Sequence, residues 1–360
     1  MYEKSLEALK NSSRFRERKL FDENLIDFAS NDYLGLSENK KLLKKAYKKV
    51  KKYKNFAPKA SLLVNGYHPI HKEFEEKLCR LNGFESGIVA GSGFLANLAL
   101  FEALPRKGDL LLMDEEFHAS GIVASKLTQA KVLTFRHNDY KNAKELMESN
   151  SYKNLFIAVE GVYSMGGDLV KKEFFELADE KNAVLVVDEA HSCGVLGENL
   201  LGIFEYYGIT PKANHIKMGT LGKALGSYGA YILANKETVS FLENRAKSII
   251  YATAPSLFDI ALASVNLTYI TKKAQKFHDL YLKAIEIAHK ETGIKTESLI
   301  LPIPMKSSKS VLDAQEKLAK EGFVVGAIRP PTVKIPILRV ILRLNELENL
   351  EKALKIIKNI

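Results

Sequence analysis

His215-Ile216-Lys217-Met218-Gly219-Thr220-Leu221-Gly222-Lys223-Ala224-Leu225-Gly226-Ser227-Tyr228-Gly229 reads as a short apolar strand end, a glycine-rich turn holding one lysine, and the approach to a second apolar run at 230–234. Outward from it, short apolar runs recur at 87–90, 110–113, 131–135, 155–160 and 183–188. Helix-like stretches such as 94–103, 142–149 and 172–182 fall between them. Continuous apolar strands alternating with helices predict a mostly parallel seven-stranded sheet covered on both faces, an α/β architecture. After Ser256 the pattern changes to a long helical stretch (257–292), a strand (299–303), a helix (310–321), two strands (323–328 and 337–342) and a last helix (347–357). That order predicts a smaller α+β C-terminal domain. The expected division is an N-terminal segment at 1–30, a large domain at 31–256 and a small domain at 257–360. Within it, 55–67 reads as loop and 70–82 as a helix with Phe74, Leu78 and Leu81 at helical spacing.

With 360 residues, 46% hydrophobic and 27% charged, the chain has the make-up of a soluble globular protein with a substantial core. The net charge of +10 comes mostly from lysines spread over helix-like segments, among them 40–54 and 272–290. There is no aromatic-interleaved basic stripe, so the composition speaks against a nucleic-acid-binding role. Solvated lysine faces account for the charge, as does attraction to acidic substrates or carriers. Two cysteines, Cys79 and Cys193, provide neither a disulfide framework nor metal-ligand spacing. No signal-peptide core and no membrane-spanning apolar run is legible, and the expected location is the cytoplasm, away from the membrane.

In parallel sheets ligands bind beyond the carboxyl ends of the strands. Ser92, His118, Ser164, Asp188, His191, Thr220 and Lys223 collect there. Lys223 lies among small residues. It is either a surface lysine in a glycine loop or an amine drawn off solvent, where desolvation favours the nucleophilic form that makes Schiff bases. Asp188 closes the apolar run Val186-Val187, and a carboxylate there is costly to leave unpaired. A salt bridge would satisfy it, and so would a protonated heterocycle nitrogen such as that of pyridoxal phosphate. Gly91-Ser92-Gly93-Phe94, between a strand and a helix, offers amides to a phosphate. As GxGxxA it also mimics a dinucleotide fingerprint, but without the acidic strand end about 20 residues on.

Asp188 and Lys223 together with several further motifs resemble the α-oxoamine synthase family of fold-type I pyridoxal-phosphate enzymes, over roughly residues 25–357. The carriers are Ser30-Asn31-Asp32-Tyr33-Leu34-Gly35-Leu36-Ser37, Ser92-Gly93-Phe94, the run Asp114 to His118, Glu160-Gly161-Val162-Tyr163-Ser164-Met165-Gly166-Gly167-Asp168, Asp188-Glu189-Ala190-His191-Ser192-Cys193-Gly194-Val195, and the run Thr220 to Gly226. The resemblance implies an aspartate-aminotransferase-like fold and pyridoxal 5'-phosphate as cofactor. It makes Lys223 the Schiff-base lysine, Asp188 the partner of the ring nitrogen and His118 the imidazole stacked on the ring. His191 and Ser164 would approach the phenolic oxygen, and Thr220 with the amides of Gly93 and Phe94 the phosphate. Thr253 would reach the phosphate of a neighbouring subunit, implying a homodimer with shared active sites. Asn31 and Arg339 would hold an amino-acid carboxylate, and Arg14 the acyl substrate. Structural alternatives are a helix-capping His118 and a surface Arg14.

Ala327-Ile328-Arg329-Pro330-Pro331-Thr332-Val333 is similar to the branch that joins L-alanine to a pimeloyl group, carried by CoA or acyl-carrier protein, with decarboxylation, in biotin synthesis. The chain departs from the family pattern at Ala60-Ser61-Leu62-Leu63-Val64-Asn65, at Lys334-Ile335-Pro336 and at Ile341, all expected to flank the acyl pocket. The competing readings are a sister enzyme using glycine with acetyl- or succinyl-CoA, or alanine with another acyl chain, and a pyridoxal-dependent aminotransferase or aldolase.

Overall fold

The computed structural model describes residues 1–12 and 14–360. Its strands, in chain order, are β1 (Ile26–Phe28), β2 (Ser86–Ala90), β3 (Leu110–Asp114), β4 (Lys131–Phe135), β5 (Leu155–Glu160), β6 (Val184–Asp188), β7 (His215–Thr220), β8 (Ala230–Ala234), β9 (Ile300–Pro304), β10 (Phe323–Ile328) and β11 (Ile337–Ile341). Strands β2 to β8 make one seven-stranded sheet in the order β2-β8-β7-β6-β5-β3-β4. All its pairings are parallel except those of β8, which runs antiparallel to both β2 and β7. The reason is the length of the β7–β8 connection: residues 221–229 are too few for the crossover that a parallel pair needs. The glycine-rich turn is therefore a hairpin loop. It leaves Lys223 at the end of the sheet where β5 and β6 also finish.

The continuous apolar runs reflect burial on both faces, and β3, β5 and β8 are buried at every residue. Leu100, Leu111, Ala158, Val186, Ile216 and Ile232 belong to one core cluster. Burial of a Leu or Ile side chain of this kind contributes about 1.5–3 kcal/mol before ordering costs are subtracted. A buried ion pair lies inside the larger unit. Lys217 in β7 and Glu189, just after β6, are both 0% exposed and pair at 3.1 Å. Lys217 also donates to the carbonyl of Leu201, and Glu189 accepts from Ser192 Oγ and the Ile203 amide. Gly202 makes this possible: its φ is +111°, and a Cβ there would lie 1.9 Å from Glu189 Oε2.

The chain divides into two compact units, Asp32–Ser164 with Asp168–Asp279, and Met1–Asn31 with Met165–Gly167 and Leu280–Ile360. The expected divide at residue 256 is thus displaced to Asp279, because the helix Leu257–Lys272 packs on the helix Lys40–Val50 of the larger unit. The expected run 257–292 is two helices, Leu257–Lys272 and Ala274–Thr292. Residues 1–30 are no separate segment. β1 runs parallel to β10 and completes the smaller unit's four-stranded sheet, ordered β1-β10-β11-β9, whose other pairings are antiparallel. The expected loop at 55–67 contains a helical turn, Leu62–Gly66, and a bridge from Ser61 to Thr253. Among the described residues no helix is long and apolar enough to cross a membrane.

Candidate active site

Strands β5 and β6 end in carboxylates that lie side by side in register, Glu160 opposite Asp188. Beyond them a cavity of about 170 Å³ is lined by Gly93, Phe94, Asn97, His118, Ser120, Glu160, Asp188, Ala190, His191, Met218, Thr220 and Lys223. Strand ends, the turns after them and the first turns of two helices deliver these residues. Ser92 caps the helix Gly93–Ala103, its Oγ accepting from the Leu95 amide at 3.3 Å. His118 caps the helix Ala119–Ser125. The capping reading of His118 and its place on the cavity wall are therefore both true.

Asp188 is 4% exposed. Its Oδ2 accepts from Asn97 Nδ2 at 2.9 Å and its Oδ1 from the Ala190 amide at 3.0 Å. The other Asn97 Nδ2 proton goes to Ser120 Oγ at 2.8 Å, which leaves that hydroxyl to donate to His118 Nδ1 at 2.7 Å. The Ser120 amide points at the same nitrogen at 3.2 Å. With two donors on Nδ1, His118 is held neutral with its proton on Nε2. Desolvation acts in the same sense, lowering its pKa, as does the charge of Lys223, while Asp188 opposes both. Glu160 is raised well above the usual carboxylate range, first by burial and then by the charge of Asp188.

Lys223 Nζ lies 2.7 Å from His191 Nε2, and the Tyr33 hydroxyl lies 2.5 Å from His191 Nδ1. A tyrosine, an imidazole and an amine thus form one hydrogen-bonded row ending in the glycine loop. Thr220 lines the cavity, but its Oγ1 is turned to backbone, donating to the Gly229 carbonyl at 3.1 Å and accepting from the Gly222 amide at 3.3 Å. Ser164 is buried, and its amide donates to Glu160 Oε2 at 3.1 Å.

Not every expected residue joins this cavity. Thr253 is exposed and bridges to Ser61 without lining it. Asn31 and Arg339 belong to the smaller unit, where Arg339, only 5% exposed, donates from Nη2 to Asn31 Oδ1 at 3.0 Å. Arg14 lines a different cavity of that unit, about 330 Å³, with Leu9, Arg16, Ile328, Arg329 and Pro330. Conversely, Tyr33, Asn97, Ser120 and Glu160 were not singled out as site residues. Asn97 left one signal, as the lone polar residue within Phe94-Leu95-Ala96-Asn97-Leu98-Ala99-Leu100.

The wall suits pyridoxal phosphate by its donor set. Asp188 is a buried anion for a cationic ring nitrogen, and a helix begins at Gly93 with the first-turn amides that suit a phosphate. A Cβ on Gly93 would stand 3.9 Å from Thr220 Oγ1, so the glycine keeps that end open. Asn97 Oδ1 and Glu160 Oε1 are buried without a hydrogen-bond partner, which marks a wall built for a polar occupant.

Comparison with known proteins gives the same picture. The family profile of class I and II aminotransferases matches residues 23–357. The chain is 48% identical to an 8-amino-7-oxononanoate synthase of Helicobacter pylori (strain ATCC 700392 / 26695), over 100% of this chain and 97% of the relative. It is 36% identical to a putative 8-amino-7-oxononanoate synthase of Aquifex aeolicus (strain VF5), over 92% and 90% of the two chains. Among solved structures, an 8-amino-7-oxononanoate synthase from Francisella tularensis superposes with a TM-score of 0.80 at 28% identity, covering 94% of this chain and 98% of its own. A serine palmitoyltransferase from S. paucimobilis, solved with PLP bound, shares the fold with a TM-score of 0.87 at 22% identity, covering 98% and 95%.

Proposed function

The chain belongs to the class I and II aminotransferase family and, within it, to the 8-amino-7-oxononanoate synthases, pyridoxal-phosphate enzymes of biotin synthesis, and from that premise we propose that it condenses L-alanine with a pimeloyl thioester. In this reaction a bond forms between the amino acid's Cα and the acyl carbon while the acyl C–S bond breaks. The amino-acid carboxylate leaves as CO₂, and the products are an amino ketone and a free thiol. The observation that carries the reading is the cavity that brings Lys223, His191, His118 and Asp188 together at the strand ends.

Bound pyridoxal phosphate supplies an aldehyde for the amino acid and a cationic ring that accepts the electron pair released at Cα. Asp188, fixed by Asn97 and the Ala190 amide, keeps the ring nitrogen protonated. His118, locked by Ser120 on the cavity wall, would pack against the bound cofactor. Lys223 removes the Cα proton, with His191 orienting the amine and Tyr33 orienting His191. Gly93, Phe94 and Thr220 would hold the cofactor's phosphate. Ser164 stands near the phenolic oxygen, and Asn31 with Arg339 binds the amino-acid carboxylate. The Arg14 cavity, apolar at Leu9, Ile328 and Pro330 and cationic at Arg14, Arg16 and Arg329, suits an apolar chain ending in a carboxylate. Thr253 serves the partner's site in a cytoplasmic homodimer. Val64 and Tyr251, 77% and 79% exposed and close in sequence to the bridged Ser61 and Thr253, are the apolar surface a partner would cover.

The test is thiol release by the pyridoxal-loaded protein, pairing L-alanine or glycine with pimeloyl, succinyl and acetyl thioesters. The expected result is release with L-alanine and the pimeloyl thioester, abolished by Lys223→Ala. Preference for glycine or a short acyl group would overturn the substrate assignment. Keto-acid formation without thiol release would replace it with transamination.

A further inference from the structure

We propose that the lysine face of the helix Lys40–Val50 is a docking surface for an acidic carrier protein that delivers the acyl thioester; this rests on the acyl-transfer reading above. The helix, Lys-Lys-Leu-Leu-Lys-Lys-Ala-Tyr-Lys-Lys-Val, is capped by Asn39 and followed directly by Lys51 and Lys52. Its buried residues are Leu42, Ala46 and Val50, and it lies against the helix Leu257–Lys272. At about 3.6 residues per turn, Lys40, Lys41, Lys44, Lys45 and Lys48 fan over the opposite side, and Lys51 and Lys52 continue it. All seven are exposed, and among the described residues none is paired with a carboxylate. Lys49, at the edge of the buried side, is instead paired with Glu73 at 2.7 Å.

Seven uncompensated charges on one face set up a field that steers anionic partners. Eleven residues of helix extend about 16 Å, a row that a line of carboxylates on a partner helix can match along its length. The phosphates of a nucleotide-linked donor form too small a cluster to neutralise it. Leu43 and Tyr47, 46% and 58% exposed, border the lysines. They add the apolar and aromatic contact typical of protein partners.

The position of this face ties it to the reaction. Just before the helix, Asp32 accepts from the Leu36 and Ser37 amides, and Tyr33 reaches His191, which holds Lys223. Gly226, three residues after Lys223, has a φ of +53°; a Cβ there would come within 2.9 Å of Leu36 Cβ and 3.1 Å of the Ser37 amide nitrogen. The lysine helix therefore begins at the residues that brace the loop of the reactive amine.

The experiment compares wild type with the triple variant Lys41→Glu, Lys44→Glu, Lys48→Glu, and with its Lys→Gln counterpart. Each pyridoxal-loaded protein is assayed for thiol release from pimeloyl-carrier protein and from pimeloyl-CoA, at low and moderate salt. The expected result is a KM for the carrier thioester raised at least about tenfold by charge reversal, and less by neutralisation, with kcat and the KM for the CoA thioester unchanged. The wild-type KM for the carrier should also rise steeply with salt, and that of the charge-reversed variant should not. Equal shifts for both donors, no shift with the carrier, or turnover of the CoA thioester alone would overturn the docking surface. So would salt-sensitive retention on duplex DNA that the variants lose while their carrier KM stays the same. If wild type released thiol from neither donor, the acyl-transfer reading itself would fall, and the docking surface with it.

Discussion

Replacing Asn97 by alanine should both destabilise the protein and free His118. Asn97 Nδ2 holds the Asp188 carboxylate at 2.9 Å and Ser120 Oγ at 2.8 Å, while its own Oδ1 is buried and unsatisfied. Loss of a hydrogen bond to a charged group costs about 1.5–3 kcal/mol and loss of a neutral one about 0.5–1.5 kcal/mol. Removal of the orphaned carbonyl returns roughly 1 kcal/mol, so the net loss should be about 1–3.5 kcal/mol. The second consequence is electrostatic. Without the amide, the Asp188 charge acts on His118 less compensated, and Ser120 no longer has its hydroxyl proton turned to Nδ1. The His118 pKa, lowered in the wild type chiefly by desolvation, should therefore move up. Urea unfolding of the cofactor-free protein measures the first effect, and a histidine NMR titration the second. A stability loss under about 1 kcal/mol together with an unmoved His118 titration would refute the coupling of these four residues.

His137 offers a pH-dependent test. Burial alone would push its pKa down, but hydrogen bonds to Asp114 and Asp168, each at 3.0 Å, and their charges raise it to about 10. The folded pKa lies above the unfolded value near 6.5, so the contribution is whole below about pH 6.5 and is lost as pH rises through 10. His137→Gln should cost about 1–2 kcal/mol at pH 6, a figure discounted for partial exposure, and the gap to wild type should close toward pH 10. A gap constant from pH 6 to pH 10 would exclude the ion pair as its source. Lys217→Met should cost about 3 kcal/mol, the low end for a broken buried pair because Glu189 keeps its bonds to Ser192 and Ile203. Adding Glu189→Gln should recover part of that loss in urea unfolding, and a purely additive double variant would count against the pairing.

Most of the sheet is legible in the chain because its strands are buried on both faces, which writes them as unbroken apolar runs. β4, β5 and β8 begin and end at the residues that the runs predict. Asp188, His191 and Lys223 are legible for the complementary reason: each is a polar group set just where such a run ends. Asn97 and Ser120 are hidden because they sit inside helices whose neighbours are there for packing, and they meet each other and Asp188 only through the tertiary fold. β1 is hidden by its brevity, since three residues carry no periodicity and its partner lies some 295 residues downstream. The Thr220 hydroxyl shows a further limit. Its place on the wall follows from the strand end, but the carbonyl and amide it bonds are a property of the hairpin's path.

The pairing of β1 with β10 also bears on how the chain is made. Every strand of the larger sheet has been synthesised by residue 234, whereas Ile26–Phe28 must wait for Phe323–Ile328. At about 5–20 residues per second that is a delay of roughly 15–60 s during which the first strand of the nascent polypeptide has no edge to join. Two segments almost 300 residues apart in the chain thus specify one sheet. A premature stop or C-terminal truncation that removes Phe323–Ile328 deprives the first strand of its partner as surely as deleting the strand itself.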